Sequence, residues 1–302
     1  MKLVIDIGGT KTEFGVFDEK SNLLRTHTIS TPVHNRSGLI DEIKSESSRL
    51  AQSNEIFTQV NISIAGTSNP ESAQITSSNV PAIAGLGFKD DLENALSTPC
   101  QIANDASCYA LAEAHKGIGR NHAVVLGIIL GSGIGGGIVI NGSLLPGLTG
   151  IAGELGHSNN LAARMKALEI VPDECDCGAG TCLDVYGAGI GLNRLHMALT
   201  NNDLPAKEIL SLWDTKDDTV LKTVEIFMDL VSDTLAQIVN FIDPHIVPIT
   251  GGLSNSQKLI ESLDRVVRAK TLAKLETPLI VPSTLKGNGC LLGAAMLPNI
   301  AI

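Results

Sequence analysis

Two glycine-rich turns, far apart in the chain, share one design. The first is Val4-Ile5-Asp6-Ile7-Gly8-Gly9-Thr10-Lys11; the second is Ile128-Ile129-Leu130-Gly131-Ser132-Gly133-Ile134-Gly135-Gly136-Gly137. Each reads as an apolar strand, a tight turn and a returning strand, expected over 13–18 after the first turn and 138–141 after the second. Glycine admits positive φ and lets backbone N–H groups come close to a ligand. Successive N–H groups in such turns form anion-binding concavities. Two of them, on two domains, would grip one polyphosphate from both sides. Asn104-Asp105 lies between them in sequence. Phosphate sites, an acceptor and a base together point to a kinase that uses ATP.

Composition narrows the classes. A chain of 302 residues is long enough for two domains of ordinary size, and 43% hydrophobic against 18% charged residues supports a sizeable core. Lys and Arg number 22 and Asp and Glu 32, leaving a net charge of −10, which disfavours nucleic-acid and anionic-membrane partners. Asp6 interrupts the N-terminal apolar run, so no secretory signal is read. The most apolar stretch, 123–140, is marginal in length for a membrane span, and its glycines fit a buried hairpin better. A soluble, cytoplasmic protein is expected.

Further strands are expected over 3–7, 23–30 and 59–64, the last stopped by Gly66. Leu39, Ile40, Ile43 and Leu50 mark a helix over 37–52, and further helices are expected over 88–96 and 106–116. Gly117-Ile118-Gly119 is a hinge candidate, because the strand-glycine-strand pattern restarts after it with a strand over 124–130. A long helix over 219–242 should end at Asp243-Pro244. A short strand, 247–249, enters Gly251-Gly252, followed by a helix near Gln257 and a last helix over 289–297. Residues 158–173 carry little periodic signal.

Each constellation has two readings. Asp6 either helps to hold a hydrated Mg²⁺ near phosphates or caps a turn. Its motif is neither a P-loop nor a Rossmann fingerprint, since it lacks the Gly-Lys-Ser/Thr end and no helix follows the glycines. Asn104 and Asp105 suit a helix N-cap, while a carboxylate beside a cleft also accepts the proton of an attacking hydroxyl. Glu154 and His157 either contact a polyol or are structural. Cys100, Cys108 and Cys290 are scattered, but Cys175, Cys177 and Cys182 fall within eight residues of a glycine-rich loop. Three thiolates and one imidazole make a closed tetrahedral Zn²⁺ site, which would be structural. Reduced core cysteines are the other reading.

These motifs together resemble the ROK family of sugar kinases and repressors, within the actin/hexokinase superfamily. The resemblance spans essentially the whole chain. It rests on Asp6-Ile7-Gly8-Gly9-Thr10-Lys11, Asn104-Asp105-Ala106, the 130–137 run, Gly153-Glu154-Leu155-Gly156-His157, the cysteine cluster and Gly251-Gly252-Leu253-Ser254. Ser78-Asn79-Val80-Pro81-Ala82 and Asp243-Pro244-His245 are similar to the bacterial N-acetyl-D-glucosamine kinases.

The resemblance implies an α/β, actin-like/hexokinase-type ATPase fold of two domains with an interdomain cleft. Residues 1–118 with the helix 289–302 would form the smaller domain, and 119–288, with the zinc loop, the larger. It implies Asp105 as general base and Gly66, Asn79, Asn104, Glu154, His157 and Asp184 as sugar contacts. Asp6, Gly8, Gly9, Thr10, Lys11, Gly131, Ser132, Gly133, Ile134 and Gly135 would face ATP phosphates and Mg²⁺, with Gly251 and Gly252 near the nucleoside. His157, Cys175, Cys177 and Cys182 would hold zinc. Family members are often dimers, which makes a homodimer the expected assembly. Four positions depart from the family pattern. Thr181 and Thr250 replace common glycines, Ala65 a common proline, and Asp184 a common glutamate one methylene longer.

The expected reaction is ATP-dependent phosphorylation of N-acetyl-D-glucosamine at its 6-hydroxyl. Glucokinase, fructokinase, N-acetylmannosamine kinase and a non-catalytic sugar-responsive regulator are the alternatives. Repressors of this family carry a helix-turn-helix before the first glycine motif. Here five residues precede Asp6, and the charge is negative.

Overall fold

Strand β4 (Gln59–Ile64) is buried along its whole length, although its sequence carries Gln59, Asn61 and Ser63 among the aliphatics. It is the fourth member of a five-stranded sheet formed with β1 (Lys2–Ile7), β2 (Lys11–Phe17), β3 (Leu23–Ser30) and β7 (Cys100–Asn104), in the order β3-β2-β1-β4-β7. β1 pairs antiparallel with β2, and β2 with β3; β4 runs parallel to both β1 and β7. This computed structural model describes residues 1–52, 55–158, 160–285, 287 and 289–298.

The chain divides into two units. The first comprises Met1–Lys116, Gly142–Ala152 and Leu285–Ile302, and the second Gly117–Asn141 and Gly153–Thr284. Besides its sheet, the first unit holds α1 (Arg36–Leu50), the two-residue strands β5 (Thr67–Ser68) and β6 (Ile75–Thr76), α2 (Phe88–Leu96) and α3 (Asp105–Lys116). Helix α1 starts where the Asn35 side chain accepts the Gly38 N–H, and it buries Leu39, Ile43, Ser47 and Leu50 on one stripe.

The segment 142–152 belongs with the first unit, although its sequence neighbours on both sides belong to the second. The His115 imidazole bonds the Gly142 carbonyl at 2.8 Å. Gly150, at φ 84°, lies so close to Ser68 that a Cβ there would stand 2.1 Å from the Ser68 carbonyl oxygen. Neither contact has a local sequence signature.

The second unit repeats the plan. Strands β8 (Val124–Leu130) and β9 (Ile134–Ile140) form an antiparallel hairpin, and β8 pairs in parallel with β11 (Val247–Thr250), itself parallel to β12 (Ile280–Pro282). A further two-residue strand, β10 (Ser143–Leu144), falls in the first unit's 142–152 segment. The returning strand starts at Ile134 rather than at the expected 138, so Gly135, Gly136 and Gly137 are strand residues. Their absent side chains make room: a Cβ on Gly136 would lie 2.4 Å from Leu155 Cδ2 and 2.9 Å from the Gly153 carbonyl.

Helices of the second unit are α4 (Ala162–Ala167), α5 (Leu183–Tyr186), α6 (Gly189–Thr200), α7 (Ala206–Asp214), α8 (Asp218–Ile242) and α9 (Gln257–Lys270). Helix α8 is the 25-residue spine of that core. It starts at the Asp217 cap and stops at Asp243, left-handed at φ 50°, before Pro244. Among the described residues no helix is long and apolar enough to cross a membrane.

The last helix, α10 (Gly289–Ala294), docks in the first unit; the expected extension over 299–302 lies outside the described residues. Asn61 Nδ2 donates to the Ala294 carbonyl at 2.7 Å, and Lys2 Nζ to that of Ala295 at 3.3 Å. Gly293 sits directly on α3, where a Cβ would fall 1.6 Å from the Cys108 carbonyl oxygen. Gly293→Ala should therefore destabilise the protein by at least ~1–3 kcal/mol, the usual cost of overpacking a tight contact. Urea unfolding measures this, and an unchanged midpoint would contradict the packing described.

Candidate active site

In the first unit, three parallel strands end in register. Ile7 pairs with Ile64, and Ile64 with Asn104. Gly8, Ala65-Gly66 and Asp105 follow these strand ends directly, so most of this unit's candidate residues share the carboxyl edge of the sheet. Open α/β sheets bind ligands at that edge.

The Gly8–Lys11 turn is closed by the Gly8 N–H donating to the Lys11 carbonyl at 3.0 Å. Thr31 Oγ1 donates to the Gly8 carbonyl at 2.7 Å, and the Thr31 N–H to that of Thr10 at 3.2 Å, tying the turn to β3. Gly9 lies against Asn79, whose carbonyl oxygen would be 3.5 Å from a Cβ at that position. Lys11 Nζ is 3.1 Å from Glu13 Oε2. Asp6 accepts a hydrogen bond from Ser63 Oγ at 2.6 Å. Burial pushes the Asp6 carboxyl above the usual range, and the nearby Glu13 adds to this; the Ser63 hydroxyl and Lys11 oppose it.

The Asn104-Asp105 pair divides its work. Asn104 caps α3, its Oδ1 accepting the Ser107 N–H at 3.0 Å, while its Nδ2 donates to the Gly66 carbonyl at 3.1 Å. Asp105 is the first helical residue, half-buried, with Oδ1 accepting the Ala106 N–H at 2.8 Å. Gly66 admits no side chain, because a Cβ would meet the Thr76 carbonyl at 2.4 Å. Its N–H donates to the Ile64 carbonyl at 3.0 Å. Exposed Asn79 sits in a turn held by Ser77, whose hydroxyl donates to the Ala65 carbonyl at 2.7 Å and accepts the Val80 N–H at 3.1 Å. Arg36 clamps the next stretch of chain, donating to the carbonyls of Ala82 at 2.9 Å, Ala84 at 2.5 Å and Leu86 at 3.0 Å. Sequence reasoning missed Arg36, Ser63 and Thr31, because their partners lie far away in the chain.

In the second unit, Gly131 and Gly251 follow the neighbouring parallel strands β8 and β11. Gly251, at φ 98°, would place a Cβ 2.3 Å from the Leu130 carbonyl, so the two glycine turns touch. Gly252 opens a 3-10 turn, Gly252–Asn255. The Gly131 N–H donates to the Gly133 carbonyl at 3.0 Å, and α6 starts against the turn through Gly189 N–H to the Gly131 carbonyl at 2.9 Å. Gly135 lies beyond the turn, paired with Ile129. The Ile134 N–H is not open to a ligand, since it donates to Asp184 Oδ1 at 2.8 Å.

His157, Cys175, Cys177 and Cys182 converge, with their ligand atoms all within 4.8 Å of one another. His157 Nδ1 and Cys175 Sγ are 3.5 Å apart, as are Cys177 Sγ and Cys182 Sγ. Zn–S bonds of about 2.3 Å in a tetrahedron set sulfurs about 3.8 Å apart, so this donor set fits zinc. The loop folds through Cys175 N–H to the Gly180 carbonyl at 2.8 Å and Gly178 N–H to the Cys175 carbonyl at 2.9 Å. The Ala179 N–H, above all, brings the Cys177 thiol down to about 7, whereas burial pushes Cys182 up to about 12. On the other side of the imidazole, His157 Nε2 lies 3.9 Å from Glu154 Oε2. Burial raises the Glu154 carboxyl, His157 opposes the shift and Asp184 adds to it.

A family model described as ROK family matches residues 2–299. An N-acetyl-D-glucosamine kinase of Histophilus somni (strain 129Pt) is 34% identical over 295 residues, which cover 97% of each chain. Among solved structures, a ROK hexokinase from Thermus thermophilus is similar with a TM-score of 0.84 at 28% identity, covering 97% of this chain and 96% of its own. A ROK family glucokinase from Streptomyces griseus, in complex with glucose and AMPPNP, gives 0.78 at 26% identity, with 98% of each chain covered.

The Asp6 carboxyl generates a pH prediction. Its folded pKa lies above its unfolded one, so its stabilising contribution is complete below the unfolded value, about 3.9, and is lost as pH rises through the folded value. Asp6→Asn should thus be more stable than the wild type near pH ~8 and lose that advantage towards pH ~4. Urea unfolding across this range tests the sign. An advantage that grows on acidification would contradict the burial assigned to Asp6.

Proposed function

Because this chain belongs to the ROK family, we propose that it is an ATP-dependent sugar kinase that phosphorylates the 6-hydroxyl of N-acetyl-D-glucosamine. The observation that carries the chemistry is the common strand edge, where the register of β1, β4 and β7 gathers Asp6, the Gly8–Lys11 turn, Gly66 and Asn104-Asp105. The choice of acceptor is supported by the Histophilus somni kinase, which is similar over nearly its full length. The fold is the two-domain, actin-like ATPase type of the ROK hexokinase and glucokinase structures.

Asp105 is the general base: its carboxylate takes the hydroxyl proton as the sugar oxygen attacks the γ-phosphorus in line. Asn104 braces the start of the base's helix against Gly66 and, with Asn79, Glu154 and His157, contacts sugar hydroxyls. The Gly8–Lys11 and Gly131–Gly133 turns supply backbone N–H groups to phosphate oxygens, and Gly251-Gly252 lies near the nucleoside. Asp6 helps to hold hydrated Mg²⁺, which offsets phosphate charge. Phosphoryl transfer asks for positioning and charge stabilisation rather than covalent help from the protein. His157, Cys175, Cys177 and Cys182 hold a structural zinc ion, which fixes the loop and the imidazole that faces Glu154.

Three measurements test this reading. Asp105→Asn should fold and bind sugar while kcat falls by ~10²–10⁴, the usual range for loss of a general base; near-normal turnover removes Asp105 from that role. Metal analysis of fresh protein should give about one zinc per chain, and Cys177→Ser should lose it; active protein free of zinc contradicts the site. In a panel of sugars with ATP and Mg²⁺, kcat/KM for N-acetyl-D-glucosamine should exceed that for glucose by at least ~tenfold. A site built for the acetamido group leaves buried polar groups unpaired when that group is missing. Equal or better use of glucose, fructose or N-acetylmannosamine would replace the acceptor and leave the sugar-kinase reading in place.

A further inference from the structure

We propose, on the reading of Asn79 as a sugar contact, that Arg36 is a positioning residue for the sugar: its guanidinium fixes the loop that carries Asn79. That loop is closed at its base by Ile75 and Gly85, whose backbones exchange N–H and carbonyl at 3.0 and 2.8 Å. Within it Ser77 holds the turn at Val80, and a 3-10 turn, Pro81–Ile83, buries Ala82 and Ile83. Asn79 itself is exposed, so its direction is set by the backbone that carries it.

The outer side of the loop is held by the segment 31–36. The Ala82 N–H donates to the Val33 carbonyl at 2.8 Å. Arg36, the first residue of α1, then takes three carbonyls with three different nitrogens: Nε binds that of Ala82 at 2.9 Å, Nη2 that of Ala84 at 2.5 Å and Nη1 that of Leu86 at 3.0 Å. Gly85 and Gly87, at φ 93° and 85°, let the chain curl so that these carbonyls face one cation. The fork has its own supports, since Cζ lies 5.9 Å from the centre of the Phe88 ring and Nη1 lies 3.7 Å from Asp91 Oδ2. A planar guanidinium with donors in fixed directions suits this arrangement; the single point charge of a lysine does not.

The phosphate turn has separate anchors on the same segment. Thr31 Oγ1 donates to the Gly8 carbonyl at 2.7 Å and the Thr31 N–H to that of Thr10 at 3.2 Å. Removing the Arg36 fork therefore frees the Asn79 loop and leaves the bonds to the Gly8–Lys11 turn in place. A loop held ready for its ligand spares the ordering that binding would otherwise require, so its release weakens the sugar and not the nucleotide.

The test compares wild type, Arg36→Ala, Arg36→Lys, Asn79→Ala and the double variant Arg36→Ala/Asn79→Ala. Dissociation constants for N-acetyl-D-glucosamine and for AMPPNP with Mg²⁺ are measured by calorimetry, and kcat at saturating sugar by a coupled assay. Arg36→Ala should bind the sugar about tenfold or more weakly, as expected for lost hydrogen bonds from a charged group, with AMPPNP affinity and kcat within about threefold of wild type. Lysine should recover little of the sugar affinity. The double variant should bind sugar within about threefold of Asn79→Ala alone, because a residue that acts through Asn79 has nothing to add once Asn79 is gone. Wild-type sugar affinity in Arg36→Ala, with weakened affinity in Asn79→Ala, overturns the proposal and leaves Asn79 as a sugar contact. Wild-type sugar affinity in Asn79→Ala overturns that contact and the proposal with it. Equal weakening of both ligands by Arg36→Ala, or additive losses in the double variant, reduces Arg36 to a support of the fold and also contradicts the proposal. Should Arg36→Ala fail to fold, lysine decides: sugar affinity equal to that of wild type contradicts the need for the fork.

Discussion

A half-buried carboxylate, Asp6, where parallel strands end is the constraint on which the first unit turns. Burial alone would expel the Asp6 charge, and the fold answers with a hydroxyl from the neighbouring strand, Ser63. That bond requires β1 and β4 to be parallel and in register, with Asp6 opposite Ser63. The same register sets Ile7, Ile64 and Asn104 side by side and so delivers the glycine turn, Gly66 and Asp105 to one edge. Sheet order and site are thus one arrangement. A carboxyl kept in such a place costs native stability at neutral pH.

Backbone proximity does similar work in the second unit. Gly251 rests on Leu130, Gly153 and Leu155 rest on Gly136, and Gly133 rests on Asp184. None of these contacts leaves room for Cβ, so glycine is fixed there by packing as much as by turn conformation. The cysteine loop enters this region through Cys182 and α5, and the His157 imidazole lies between Cys175 and Glu154. Zinc in that loop would hold the imidazole and the start of α5 in place.

Much of this was legible in the sequence because its signals are local. The span 23–30 and the helix 88–96 came out with the observed bounds, and α8 differs by one residue at its start, since apolar periodicity and capping residues act over a few positions. The convergence of His157 with the three cysteines was legible from ligand chemistry and from the family resemblance. What escaped was set by distant partners. The glycines at 135–137 read as turn because nothing nearby reveals that Gly153 and Leu155 will pack on them. The place of 142–152 in the first unit depends on His115 and Ser68, and the grip of Arg36 on the carbonyls of Ala82, Ala84 and Leu86 crosses from one helix start to another loop. The capping preference of Asn and Asp was read for Asn104-Asp105 as a pair; only the three-dimensional arrangement gives the cap to Asn104 and makes Asp105 the first helical residue.

In the proposed reaction a phosphoryl group passes from ATP to the primary hydroxyl of an amino sugar. The most direct measurement is a phosphorus–proton correlation NMR spectrum of the product formed from N-acetyl-D-glucosamine, ATP and Mg²⁺. The expected product is a sugar phosphate whose phosphorus couples to the two protons of the sixth carbon. Coupling to the anomeric proton, or hydrolysis of ATP without any sugar phosphate, would contradict it.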